Sequence, residues 1–149
     1  MITARSEHAS YTLGENLFIF CGWDGTQYLS SVEILNVIVK HAPWETLNLS
    51  ALTKRGSPCV CPISNNEFVI MGGYAGACYL SDILIFNTDT KTAELKQNLP
   101  ETQFACSSIA VKESDDSVIA LVGDRDISPF MVRYTRSTNV LTAFTRFEI

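Results

Sequence analysis

Cys59 and Cys61 stand two apart, a spacing that on a strand turns both sulfurs to one face, where paired thiolates can begin a metal site. Such a site needs further ligands nearby, and the chain holds only two histidines, His8 and His41. Copper redox chemistry wants more imidazole than that, and these two fall on an expected first strand and in the loop before an expected fourth. Asp24, Asp124 and Asp126 lie in glycine-containing loops, where an aspartate more often caps a turn than holds calcium. No serine elbow, phosphate-binding loop or paired-carboxylate motif is present. Cys21, Cys59, Cys61, Cys78 and Cys106 are odd in number and scattered along expected strands, so they read as small apolar packing residues, not as a disulfide framework. The chemistry-bearing residues therefore predict no catalytic residue, no cofactor and no metal.

Length and composition predict one globular assembly, since 149 residues with 46% apolar side chains can bury a core. A formal charge of −5, with 11 scattered lysines and arginines, argues against nucleic acid and anionic membrane surfaces as partners. The longest apolar stretches are of strand length, and the first residues lack the apolar core of a signal peptide, so a cytoplasmic location is the expectation.

The elements that would position any site repeat along the chain. Three apolar strands run into a glycine: Ile19-Phe20-Cys21-Gly22, Ile70-Met71-Gly72-Gly73 and Ala120-Leu121-Val122-Gly123, about 50 residues apart. After Gly22 come Trp23-Asp24-Gly25, Tyr28-Leu29 and a strand ending at Asn36; after Gly73 come Tyr74-Ala75-Gly76, Tyr79-Leu80 and a strand ending at Asn87. The third copy is weaker, with Asp124-Arg125-Asp126 in the loop position. Apolar runs and turn residues place strands at 7–13, 16–22, 31–37 and 43–49, at 57–63, 67–73, 82–87 and 92–96, and at 105–112, 117–123, 130–135 and 140–147. Four short antiparallel strands per copy describe a propeller blade, and a second strand apolar on both faces suits one packed between neighbouring blades.

With these features the chain resembles the kelch repeat family. Its units carry an apolar strand ending in a glycine pair, an aromatic-Asp-Gly loop, a short strand ending before Asn or Asp, and a late tryptophan, here Trp44. The glycine pair is intact only at Gly72-Gly73, and Ala93 and Leu141 replace the tryptophan in the later copies. The fold expected is all-β: a partial kelch-type β-propeller of three four-stranded antiparallel blades, at about 1–52, 53–101 and 102–149 of a single domain. Gly22, Gly72, Gly73, Gly123 and Trp44 are its structural residues.

The resemblance implies a non-catalytic protein–protein interaction scaffold that presents loops to a protein partner. Carried over by position, it matches the partner-binding arginine that opens a blade to Arg5 and Arg55, with Gln103 in the third copy. It matches the loop aromatics to Trp23 and Tyr74, and to Tyr28 and Tyr79 five residues later. Each has a plainer structural reading: the arginines could bond a neighbouring loop carbonyl or carboxylate, and the aromatics could plug the channel mouth or pack under the loop. An architectural subunit of a cytoskeletal or other assembly, and the substrate-recognition part of a ubiquitin-ligase complex, are the alternative functions. Some kelch propellers are copper oxidases or act on sugars, but His8 and His41 are too few imidazoles for the copper site. A closed propeller needs four to eight blades, so a second copy or another protein is expected to complete the ring.

Overall fold

The computed structural model describes residues 1–99, 110–124 and 127–144, which form strands and turns without helix. β1 (Ala9–Leu13), β2 (Asn16–Phe20), β3 (Ser31–Asn36) and β4 (Glu45–Asn48) make one four-stranded sheet in that order. β5 (Cys59–Pro62), β6 (Glu67–Met71), β7 (Asp82–Asn87) and β8 (Thr92–Asn98) make a second. β9 (Ala110–Lys112), β10 (Ser117–Asp124), β11 (Ile127–Thr135) and β12 (Val140–Phe144) make a third. Every pairing is antiparallel between consecutive strands. The protein is all-β among the described residues, and its three four-stranded antiparallel sheets have the form of propeller blades.

Neighbouring sheets approach through their first strands, β1 against β5 and β5 against β9, while β4 and β8 lie at the far edge with largely exposed side chains. Alternation along β6 and β7 explains how the second sheet fills its place. Phe68, Ile70, Leu84 and Phe86 turn to the first sheet and meet Phe18, Phe20, Val32 and Ile34. Val69, Met71, Ile83 and Ile85 turn to the third and meet Val118, Ala120, Val132 and Tyr134. A strand buried on both faces needs the unbroken apolar runs that these segments have. The aromatic core is close-knit: Phe68 lies 5.1 Å from both Phe18 and Phe20 in tilted to edge-on geometry, which adds about 0.5–1.5 kcal/mol per pair beyond burial.

The hairpin beyond the third strand is closed alike in the first two sheets. Asn36 Oδ1 accepts the N–H groups of Ile38 and Val39, and Asn87 Oδ1 accepts those of Asp89 and Thr90, all at 2.9–3.0 Å. This is why each of these two repeats ends its third strand on asparagine.

The third sheet departs from expectation at its glycine. β10 does not stop at Gly123; it runs on to Asp124, which pairs with Ile127 across a register shift between Val122 and Asp124. Where the first two copies have a long loop, the third pairs Asp124 with Ile127, and Asp124 is a strand residue. Expected strand at 105–109 and 145–147, the blade boundary at about 101–102, Gln103, Cys106 and Asp126 lie outside the described residues.

Candidate functional site

Two loops, at residues 21–30 between β2 and β3 and at 72–81 between β6 and β7, emerge beside the segments that lead into β1 and β5. Their backbones follow one plan. Ser6 and Trp23 exchange N–H···O bonds of 2.8 and 2.9 Å, and Gly56 and Tyr74 exchange a pair of the same lengths. Leu29 N–H donates to Gly22 O and Leu80 N–H to Gly73 O, each at 2.8 Å. The two repeats are tied together where Gly22 N–H donates to Arg55 O and Arg55 N–H to Leu29 O.

The same plan explains the glycine pair. Its first position has φ 57° at both Cys21 and Gly72, a left-handed conformation that a non-glycine residue can adopt at a cost. Its second position has φ 103° at Gly22 and 107° at Gly73. A Cβ there would stand 2.6 Å from Ser6 O or 2.7 Å from Gly56 O, the carbonyls of the segment leading into the blade. Only the second glycine is obligatory, so the first repeat can carry Cys21-Gly22.

Arg5 and Arg55, expected on the contact face, lie beneath it with no exposed side-chain surface. Arg55 Nη1 and Nη2 donate to Asp82 Oδ1 and Oδ2 at 2.6 Å each, Nη1 donates also to Gly72 O at 2.8 Å, and Nε to Thr53 O at 2.9 Å. Arg5 repeats the plan with a displaced acid: Nη1 donates to Cys21 O at 2.9 Å and Nη2 to Glu33 Oε1 at 2.5 Å, while Ser31 stands where the second repeat has Asp82. Each guanidinium clamps the carbonyl at the first position of the glycine pair to the start of the third strand.

Glu33 corresponds by position to Leu84, which packs against the first sheet. The acid therefore occupies the face on which a preceding blade would rest, and its side chain is fully buried. Burial pushes its carboxyl up, but the backbone N–H groups of Thr3 and Ile2, at 2.9 and 2.7 Å, and the Arg5 guanidinium outweigh that and hold it below the ordinary value. Sequence reasoning missed Glu33 and Asp82. A lone acid inside Val32-Glu33-Ile34-Leu35 was a legible signal, since a charge in a buried strand demands a partner.

The four aromatics do come together. Ring centroids step 4.8 Å from Trp23 to Tyr28, 5.8 Å from Tyr28 to Tyr74 and 5.2 Å from Tyr74 to Tyr79, so one row crosses from the first blade to the second. Trp23, Tyr28 and Tyr74 are half-buried and Tyr79 is 39% exposed. The Tyr28 ring sits over two glycines of the neighbouring repeat: a Cβ on Gly56 would meet it at 2.5 Å and one on Gly76 at 3.4 Å. The Tyr74 hydroxyl donates to Gly76 O, fixing its own loop.

Charge around the row is mostly acidic. Asp24 accepts from the Gln27 and Thr26 N–H groups and the Thr26 hydroxyl; those bonds, the Gln27 backbone contribution first, hold its carboxyl below the ordinary value. Glu7 is exposed beside Gly56 and Tyr28. Lys54 Nζ donates to Gln27 Oε1 at 2.6 Å.

Of the remaining expected residues, Trp44 is half-buried just ahead of β4, and it is Leu47 of that strand that packs on the first core cluster. Cys21, Cys59 and Cys61 are buried and outside any disulfide, as packing residues should be; Cys78 stands exposed in the second loop. Burial pushes the Cys21 thiol up to about 12, against the lowering pull of Arg55 and Arg5. No helix among the described residues is long and apolar enough to cross a membrane.

The sequence model of the kelch motif matches residues 55–92, the stretch from Arg55 through β5, β6 and β7 to the start of β8. No curated protein matches the chain.

Proposed function

We propose that this chain, a carrier of a kelch motif on blade-like sheets, is a non-catalytic protein-interaction scaffold whose partner docks on the loop face bearing Trp23, Tyr28, Tyr74 and Tyr79. One observation carries this reading: four aromatic rings, contributed by two successive repeats, form a continuous and partly exposed row held by backbone bridges. Large rigid aromatics are the side chains that most often dominate interface energy, and a pre-positioned row loses little entropy on binding. Arg5 and Arg55 serve the face from below, fixing the loops on which the rings stand.

A second reading, assembly through blade faces, draws on the third sheet. Val118 and Ala120 face the second sheet, so Val111 and Leu121, which are 60% and 41% exposed, belong to the opposite face. Completion of the ring by a second copy or another protein would cover that face, and light scattering on the purified chain reports it.

The loop-face reading is tested by capture from native extract. Trp23→Ala and Tyr79→Ala, at the two ends of the row, should each lower recovery of the partner by about tenfold, as truncation of interface aromatics does, with the melting temperature little moved. Normal capture by both variants, together with loss of capture on substitution of Glu45 or Lys96 of the outer strands, would transfer the interface to the blade edge.

A further inference from the structure

The geometry points to a proline-rich segment in the polyproline II conformation, with a basic residue at one end, as the ligand of the aromatic row; the inference rests on the loop-face reading and names its partner's chemistry. Two families of observation carry it. The first is shape. Three centroid steps of 4.8, 5.8 and 5.2 Å, with interplanar angles of 57°, 89° and 51°, make a corrugated line of rings and not a flat platform. Polyproline II rises about 3.1 Å per residue with three residues per turn, so the row covers at most about five residues of such a ligand. Pyrrolidine rings fit between tilted aromatics, and the free carbonyls of a polyproline helix can accept from the Trp23 indole N–H. Both surfaces are rigid before they meet: the rings by the Trp23–Tyr28 and Tyr74–Tyr79 bridges and the glycine seat of Tyr28, the ligand by its ring-locked backbone.

The second is charge. An acidic ligand would need free cations, yet both arginines of this face are spent on buried carboxylates and Lys54 is engaged by Gln27. The exposed Glu7 and the turn-capping Asp24 instead place negative charge along the row. A neutral, carbonyl-rich segment ending in arginine or lysine is complementary to that field, and an acidic peptide is repelled by it.

The test is fluorescence anisotropy of labelled synthetic peptides on the intact chain. The probes are seven consecutive prolines with a terminal arginine, the same with a terminal glutamate, and a glycine-serine peptide of equal length. Saturable binding of the arginine peptide is expected, with the glutamate peptide at least about fivefold weaker and the glycine-serine peptide silent. Trp23→Ala and Tyr74→Ala should each weaken the arginine peptide about tenfold, with the native circular dichroism spectrum retained. Asp24→Asn keeps the turn-capping oxygen and removes one of the two charges, so it should narrow the difference between the two proline peptides, with Glu7 retaining the remainder. Absence of saturation, equal or tighter binding of the glutamate peptide, or parent-level binding by Trp23→Ala and Tyr74→Ala would each overturn the inference. If extract capture depends on Trp23 and Tyr79 while no proline peptide binds, the ligand assignment falls and the loop-face reading stands. If capture ignores those aromatics, the loop-face reading itself falls.

Discussion

Replacing Arg55 by alanine distinguishes a strut from a contact residue, because the two roles predict opposite results. The guanidinium has no exposed surface and satisfies both oxygens of Asp82, whose side chain is only 16% exposed, together with the carbonyls of Gly72 and Thr53. Alanine leaves a largely buried carboxylate without its cation and two carbonyls without donors. Breaking a buried pair from one side in this way costs about 3–5 kcal/mol, which for a chain of this length lowers the melting temperature by roughly 10–15 °C. Thermal and urea unfolding followed by far-ultraviolet circular dichroism measure it. Replacing both partners, Arg55→Met with Asp82→Leu, removes charge and counter-charge together and should recover more than half of the loss. An Arg55→Ala chain that melts within about 2 °C of the parent but no longer captures its partner would refute the strut and return the arginine to the interface.

Three further outcomes follow from the same geometry. Because the folded-state value of Glu33 is depressed, its stabilisation is complete above the ordinary carboxylate range and is lost as pH falls through the lowered value; urea midpoints measured from about pH 6 to about pH 3 should show this acid limb, and Glu33→Gln should flatten it. Gly73→Ala places a Cβ 2.7 Å from Gly56 O at φ 107°, whereas Gly25→Ala, at φ 99°, meets nothing within 4 Å; the first should cost about 2–3 kcal/mol in chemical denaturation and the second about 1, the difference being the clash alone. Maleimide at neutral pH, read by peptide mass mapping, should modify Cys78 in the native chain and leave Cys21, Cys59 and Cys61 intact until urea exposes them, since burial keeps the reagent from all three and also disfavours the thiolate at Cys21 and Cys61.

The repeat was legible in the residues themselves. Period, strand alternation, asparagine-capped hairpins and the glycine after the second strand of the first two repeats are local demands of backbone geometry, and local demands leave marks in sequence. So Phe68, Val69, Ile70 and Met71 announced a strand buried on both faces, and the structure divides them between two sheets as that pattern requires. The gathering of Trp23, Tyr28, Tyr74 and Tyr79 followed from the same repeat, because equal loops on adjacent blades must emerge side by side. What tertiary structure alone decided was depth and partnership. Whether Arg5 and Arg55 reach outward or fold beneath the loops depends on a carboxylate lying 28 or 27 residues further along the chain, and nothing local records which acid will be near. Glu33 does for Arg5 what Asp82 does for Arg55 from a different position in its strand, so alignment of the repeats could not have paired it. The fate of Gly123 was equally non-local: an apolar strand ending in glycine reads the same in all three copies, but in the third the hydrogen-bond ladder continues past it to Asp124. Sequence sets which backbone conformations and which faces are available; burial and the meeting of distant charges, settled only when the sheets pack, determine which side chains remain on the surface to bind.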